Sequence, residues 1–581
     1  MRRFFAAVIA VAFATGVALS SAQSTTEATQ EAFRPKTLSD EDRALYAEIF
    51  SLQEAARWSE ADAKIAALGN DALLGYVKLE RYLHPKYKSS FAELKEWMAY
   101  YADHPDADRI YALARRKQPR GAAPALAPIP RKWRAEPAAA LHPDLERDYA
   151  QTSRPLLTQI EGRVRFLCKR EQAGDALKEI ERHRDRGAIT QRQFDRMRSW
   201  IAASYFYQGY KERALEIAED VTARNGDSAV LAYWIAGLIE FRGGDMGKAH
   251  DSFSAMARTP QQEDALRAAA GFWAARTALA DGHGDEVPEM LEIAAQFPFT
   301  FYGQLALAQL GRDYAYNWTP PPLTSAGYAT LAAREPAVNR AIALLEVGRT
   351  IEADLEFRWI NGRIDPSLAT DLFAVEAAFD LPAAQLDFAL QHDDRAFEAG
   401  LFPLPAYAPT DGFKTDRALI YALMRQESKF KVEATSRVGA RGLMQLMPRT
   451  ASYVAKDRSL HSNSGRDKLY DPAVNLAIGQ QYVNHLINTT AEGDLFNMAL
   501  AYNGGPGNLR RWKRDLAIED PLLFIESIPN PESRDFVERV LTNFWVYRQR
   551  LGQKPHSRDK VAAGELPLHE ALDEIAAAEG N

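Results

Sequence analysis

Trp200, Trp234 and Trp273 stand 34 and 39 residues apart, and each is followed nine positions later by a glycine: Gly209, Gly243 and Gly282. Each glycine precedes another amphipathic segment, as in Ala214-Leu215-x-x-Ala218 and Ala249-x-x-x-Phe253. A helix, a glycine turn and a second helix recurring at this period predict a helix–turn–helix solenoid. One such pair cannot bury its own apolar face, so neighbouring pairs must stack, and the stack curves. From about Leu38 to residue 400 helical patterns alternate with short polar or glycine-containing breaks, without sustained strand alternation. The run GGDMGK at 243–248 approaches a phosphate loop but is one residue short, and Ala249 stands where Ser or Thr is required. It reads instead as the turn of the second repeat.

Prolines punctuate the helical region. Four of them between Pro119 and Pro130 predict an exposed connector, Pro320-Pro321-Pro322 a boundary, and Pro403 to Pro409 the start of a last domain. The expected organisation is therefore a helical-repeat superhelical domain at 38–324, a smaller helical linker domain at 325–404, a last domain at 405–555 and a C-terminal tail at 556–581.

At 581 residues the chain is too long for one hydrophobic core. Its 46% hydrophobic and 26% charged fractions exclude a disordered or fibrous protein, and a net charge of −7 gives no basis for general nucleic-acid binding. Residues 1–22 read as a signal peptide: Arg2 and Arg3, an apolar run from Phe4 to Leu19, then Ser20-Ser21-Ala22 before Gln23. The apolar run is shorter than the ~20 residues of a spanning helix, and no cysteine near the site suggests a lipid anchor. The expectation is export with cleavage after Ala22 and no membrane span thereafter. Cys168 is the only cysteine, so no internal disulfide forms, and its place in a helical run predicts a small buried hydrophobe. There is no HExxH, GxSxG or dinucleotide fingerprint and no histidine cluster at metal spacing, which predicts chemistry without a metal or cofactor.

Glu427 carries the chemical signal. Leu419, Ile420, Leu423 and Met424, then Phe430, follow a helical period that puts Glu427 on the apolar stripe. A carboxyl in such surroundings loses hydration, its pKa rises, and it can deliver a proton near neutral pH. Taken alone, a helix-end glutamate reaches out to water. Its neighbours reverse that reading.

Glu427-Ser428, Gly442-Leu443-Met444-Gln445 and Ala501-Tyr502-Asn503-Gly504 occur in the order and spacing of the lytic transglycosylases, which have a goose-type lysozyme-like fold. Asp471-Pro472-x-x-Asn475-Leu476-x-x-Gly479 and the stretch ESIPNPESRDFVERVL, Glu526 to Leu541, resemble two further motifs of that family. These motifs cover about a quarter of the chain; the helical repeats and FYGQLALAQLG at 301–311 extend the likeness more weakly. The whole resembles the large soluble periplasmic lytic murein transglycosylases. The fold class implied is mainly α: a ring-like helical superhelix followed by a lysozyme-like catalytic domain.

The resemblance implies cleavage of the β-1,4 bond between N-acetylmuramic acid and N-acetylglucosamine in peptidoglycan glycan strands, with Glu427 as the only catalytic acid and base. Glu427 protonates the glycosidic oxygen, then takes the proton of the muramic acid 6-hydroxyl, which closes a 1,6-anhydro ring. It further implies that Ser436 holds the acetamido group and that Gly442 allows close approach or a positive φ. Met444 and Met447 offer apolar surface to sugar faces, and Gln445 and Asn503 offer amides. Tyr502 lies near the catalytic carboxylate, and Glu532 is a substrate ligand in the cleft. Ser428 is expected to anchor the helix end through its hydroxyl, a catalytic role being the alternative. Two positions depart from the family pattern: Phe536 where many relatives carry Tyr, and Arg441, where the residue is often small or aromatic. A lysozyme-type hydrolase on the same fold is the rival. It requires a second carboxylate, for which Asp457, Asp467, Asp471 and Asp494 are candidates, although Asp471 before Pro472 has the pattern of a helix cap. A scaffold that binds cell-wall material through an inactive domain is the third reading. The expected location is the periplasm, with protein partners unknown.

Overall fold

In the computed structural model the described residues are 33–130, 153–260 and 263–573; the expected signal peptide lies outside them. Where the helical periods begin is decided by capping chemistry. Helix α1 (Gln191–Tyr207) starts at Thr190, whose hydroxyl accepts the Gln193 N–H while the Gln193 side chain accepts the Thr190 N–H. Then come α2 (Lys211–Asn225), α3 (Leu231–Gly243), α4 (Met246–Arg258), α5 (Asp264–Asp281) and α6 (Val287–Ala295), each packed on its predecessor.

The turns show what the glycines are for. Gly209 and Gly282 sit at φ +89° and +86°, a region closed to most side chains. The residue after each donates to the carbonyl five positions back, Tyr210 to Tyr205 at 2.9 Å and His283 to Ala278 at 2.8 Å. In the middle repeat the register slips by one. Gly243 is still helical, and Gly244 takes the positive φ of +85°. The same closing bond ends helices at Ala56, Glu171 and Asp380, non-glycine residues at φ +59°, +60° and +52°. The hairpin architecture therefore continues well outside the tryptophan repeats, in segments whose turns no glycine marks. Trp234 and Trp273 are buried and meet edge to face at 6.3 Å, whereas Trp200 is half-buried with the Arg165 guanidinium over its ring.

Distant segments then join. The carboxylate of Glu346 accepts the N–H groups of Thr37 and Leu38, 309 and 308 residues away. Buried Glu356 accepts from Tyr76 at 2.5 Å and pairs with Arg340, which also reaches Asp103 at 2.9 Å. One apolar core accordingly unites Leu38–Ala125 with Ala343–Ala353, and this packing crosses the boundary expected at 324. Residues 331–397 have a core of their own. The largest core runs from Leu157 through α1–α6 into the last domain.

The FYGQLALAQLG stretch forms α7 (Phe301–Gln309), which seats the last domain. Tyr302 donates to Glu526 at 2.5 Å, the Phe301 ring stacks on Trp545 at 5.2 Å, and the Gln309 amide donates to the Ala562 carbonyl at 2.8 Å. Residues 556–573, read as a tail, pack into the same domain: Leu495 donates to Pro567 at 3.0 Å and His569 to Gly493 at 2.8 Å. Pro119–Pro130 has no regular structure, but Ile129 is tied back to the Ala102 carbonyl at 2.8 Å. Among the described residues there are no strands, only isolated bridges, and no helix is long and apolar enough to cross a membrane. Cys168 is a partly buried free thiol.

Candidate active site

Helix α8 (Arg417–Glu427) buries Leu419, Ile420, Leu423 and Met424 completely and ends on Glu427. The stop is abrupt. Ser428 turns its hydroxyl back to the Met424 carbonyl at 3.1 Å, the anchoring role expected of it. Lys429 and Phe430 then both take a positive φ, +51° and +62°. Two consecutive non-glycine residues in this region are costly, and a bulky aromatic especially so. Burial of the Phe430 ring, 1% exposed, holds the strained turn in place. Sequence reasoning missed this pair, because Phe430 serves the helical period equally well.

The Glu427 carboxyl is pushed up to about 8, first by burial and second by the negative charge of Glu532. Its place at a helix C-terminus acts in the same direction. At neutral pH the group carries its proton, as a general acid must. The expected kinetic consequence is a loss of turnover as pH rises through about 8, measured as the basic limb of the pH–rate profile. A rate that stays level to well above that pH would detach the activity from this carboxyl.

A loop from Thr435 to Met447 lies beside Glu427 in the motif order, and its shape comes from α9 (Pro472–Thr489). Asp471 caps α9 by accepting from Val474 N–H at 3.0 Å. Asn475 is fully buried and pins the loop at two points, accepting from Met444 N–H at 2.9 Å and donating to the Arg441 carbonyl at 3.0 Å, while it also donates to the Leu469 carbonyl at 2.8 Å. Gly442 sits at φ +74°, and a Cβ there would lie 2.2 Å from the Leu469 oxygen. A Cβ on Gly479 would meet the Met444 sulfur at 2.1 Å. The spaced Asp, Asn and Gly of that motif are thus a cap, a pin and a clearance for one loop.

Helix α10 (Leu495–Gly504) brings Tyr502, whose hydroxyl donates to the Met444 carbonyl at 2.7 Å. Burial, then the Glu427 charge, raise its pKa far above the usual phenol range, so it remains a hydroxyl. Helix α11 (Pro531–Arg550) carries Glu532 in its first turn, at the surface. Phe536, one of the two departures, lies parallel to the Tyr502 ring at 6.1 Å. Arg441, the other, pairs with Asp467 at 3.0 Å and covers the Tyr470 ring, which fastens the loop to residues 467–470.

The structure thus brings Glu427, Tyr502 and Glu532 into one electrostatic neighbourhood. Four assignments change in detail. Met444 is wholly buried, so its side chain cannot meet a sugar face; Gly479 draws it inward, and the exposed methionine is Met447. Gln445, at φ +44°, spends its amide N–H on the Ala434 and Gly442 carbonyls at 3.1 and 2.8 Å. Ser436 accepts from Ala440 N–H at 3.0 Å within its own turn. Asn503 accepts the Ser533 hydroxyl at 2.7 Å, which fixes the orientation of its amide.

The candidate second carboxylates are all engaged elsewhere. Asp457 and Asp471 cap helical turns, Asp467 holds Arg441, and buried Asp494 caps α10 through the N–H groups of Phe496 and Asn497. Burial pushes Asp494 up to about 6. Asn475 is the site-building residue whose part sequence reading did not assign; its signal is a lone amide inside an otherwise apolar helix start.

Residues 406–521 match the protein family described as the transglycosylase SLT domain. This stretch is similar to that domain along its matched length. It contains Glu427, the Gly442–Gln445 loop, α9 and α10, and the match ends before Glu532 and α11. The chain is 30% identical over 352 residues to the soluble lytic murein transglycosylase of Salmonella typhimurium, covering 58% of this chain and 52% of that protein. It is 29% identical over 353 residues to the protein of the same name from Escherichia coli, with the same coverage. The chain spans about half the length of these curated relatives. The fold extends further than the sequence likeness: the crystal structure of the 70 kDa soluble lytic transglycosylase SLT70 from Escherichia coli superposes with a TM-score of 0.56. That superposition covers 89% of this chain and 98% of that one at 20% identity. The helical architecture, with the last domain mounted on it, is similar in fold to that structure.

Proposed function

We propose that this protein cleaves the β-1,4 bond between N-acetylmuramic acid and N-acetylglucosamine in peptidoglycan as a lytic transglycosylase, releasing 1,6-anhydromuramic acid ends. The observation that carries the reading is the Glu427 carboxyl, kept protonated by burial among the family motifs, while the candidate aspartates of the same domain are tied to caps and ion pairs. One acid suffices if the substrate supplies its own nucleophile. Glu427 protonates the leaving oxygen and becomes a carboxylate. It then accepts the proton of the muramic acid 6-hydroxyl as that oxygen bonds to the anomeric carbon. A tethered hydroxyl has the entropic advantage of an intramolecular attack, and no water enters the product. In this reading exposed Met447 and the Asn503 amide serve as apolar and polar contacts for the glycan, with Glu532 as a further polar ligand. The helical array, built of stacked hairpins that suit an extended ligand, guides the strand. The substrate places the protein in the periplasm, consistent with the sequence of residues 1–22.

The rival hydrolase reading has one observation in its favour: a second carboxyl, Glu532, is close enough to raise the pKa of Glu427. Digestion of purified peptidoglycan in oxygen-18 water separates the two. Anhydro products without label are expected. Label at the anomeric carbon of most products would make the enzyme a hydrolase with Glu532 as the second carboxylate.

A further inference from the structure

The turn that closes the third tryptophan repeat carries chemistry unrelated to the SLT domain. Gly282 ends α5, His283 follows at once, and Glu286 donates its backbone N–H to the His283 carbonyl at 3.1 Å, so both side chains leave one tight turn. His250, on α4 of the preceding repeat, faces them. One ligand atom from each of His250, His283 and Glu286 lies within 4.8 Å of the other two. No local spacing reveals the group, because the two histidines are 33 residues apart in the chain.

His250 is only 4% exposed, and its Nδ1 lies 3.1 Å from the Ala274 carbonyl. A carbonyl can only accept, so Nδ1 donates to it and Nε2 is the ring atom left facing the group. This outer contact is the usual support of a metal-bound imidazole. The Nε2 points at Glu286, with 3.4 Å between Nε2 and the carboxylate oxygen. Tetrahedral ligands about 2.0–2.1 Å from a zinc ion are themselves about 3.4 Å apart. Two of the three ligands thus already stand at the edge length of the polyhedron. His283 is exposed, its Nδ1 faces Asp281 at 3.7 Å and its ring stands edge-on to His250 at 5.9 Å, so a rotation of this surface ring closes the remaining distance. Arg258 now neutralises Glu286 at 3.0 Å, but it also holds Glu289 at 3.1 Å and keeps that partner if an ion takes Glu286.

We infer that His250, His283 and Glu286 form a binding site for one zinc-class divalent transition ion, with water completing the coordination. Two imidazoles and one carboxylate suit such an ion better than magnesium or calcium, which take all-oxygen sites. The ion bridges α4 to the turn between α5 and α6, and so ties two successive hairpins of the array together. Helix α5 also carries Arg276, which pairs with Asp520 of the SLT domain, so the link stiffens the part of the array on which that domain rests.

Calorimetric titration of zinc chloride into the full-length, chelator-stripped protein without a histidine tag tests this. One ion per chain is expected, with a rise in unfolding temperature on zinc addition. His283→Ala, at the surface, and Glu286→Gln, nearly isosteric and leaving Arg258 its Glu289 partner, are each expected to weaken binding about 10-fold or more, since even outer-shell changes have that effect. Absence of saturable zinc binding by the wild type overturns the assignment. Undiminished binding by either variant overturns it equally.

Discussion

Glu427→Gln lowers the rate of glycan cleavage by about 10⁴-fold, the upper range for loss of a general acid, because the same group also serves as the later base. The amide is nearly isosteric, and it cannot give or take the proton. The carboxyl lies at the end of a helix whose apolar face is fully buried, so the substitution leaves α8 intact. A linkage measurement shows independently that the right group was changed. The folded-state value of about 8 exceeds the ordinary 4.5, so the folded protein binds more protons than the unfolded chain between those limits. Wild-type stability therefore falls as pH rises through this window, and the contribution is lost above about 8. The Gln variant has no proton to lose and gains stability relative to wild type as pH rises. Substantial cleavage by a folded Glu427→Gln protein would end the single-acid mechanism. A relative stability that ignores pH would mean that the carboxyl is not held neutral.

Gly442→Ala destabilises the protein by about 2–4 kcal/mol and takes the activity with it. Two costs add. An L side chain at φ +74° is strained, and its Cβ would sit 2.2 Å from the Leu469 oxygen and 2.3 Å from the Asn475 amide nitrogen. Relief requires moving Asn475, which releases the N–H of Met444 and the carbonyl of Arg441 together. The Met444 carbonyl that receives the Tyr502 hydroxyl would move with them. Gly439→Ala is the control: it has φ +92° and no atom within 4 Å of the new Cβ, so only the backbone term of about 1 kcal/mol applies. Urea midpoints followed by tryptophan fluorescence read the difference. Equal shifts for the two variants would remove close packing as the reason for Gly442.

Helix α8 and the position of its acid were legible in the sequence because periodicity acts within a few turns. Leu419, Ile420, Leu423 and Met424 place Glu427 on the buried stripe whatever the rest of the chain does. Asp471 before Pro472 was legible as a cap for the same reason. Met444 was not. Its neighbours in sequence suit a cleft residue as well as a core one, and the decision rests on Gly479, whose missing side chain leaves room for the sulfur. The Lys429–Phe430 turn escaped notice because helical spacing and a strained reversal both use an apolar Phe430.

The order of motifs, the helical class and the acid were determined by the sequence itself, since propensity, capping and spacing are properties of short stretches. The glycine turns were determined there too, within one residue. Only the tertiary structure decided that Glu346 meets Thr37, that residues 556–573 belong to the last domain, and that Arg441 fastens a loop. It alone brought His250 and His283 into contact distance. Each of these depends on where a distant segment returns, and that path follows from burying three separate cores at once, a global condition that no local pattern carries.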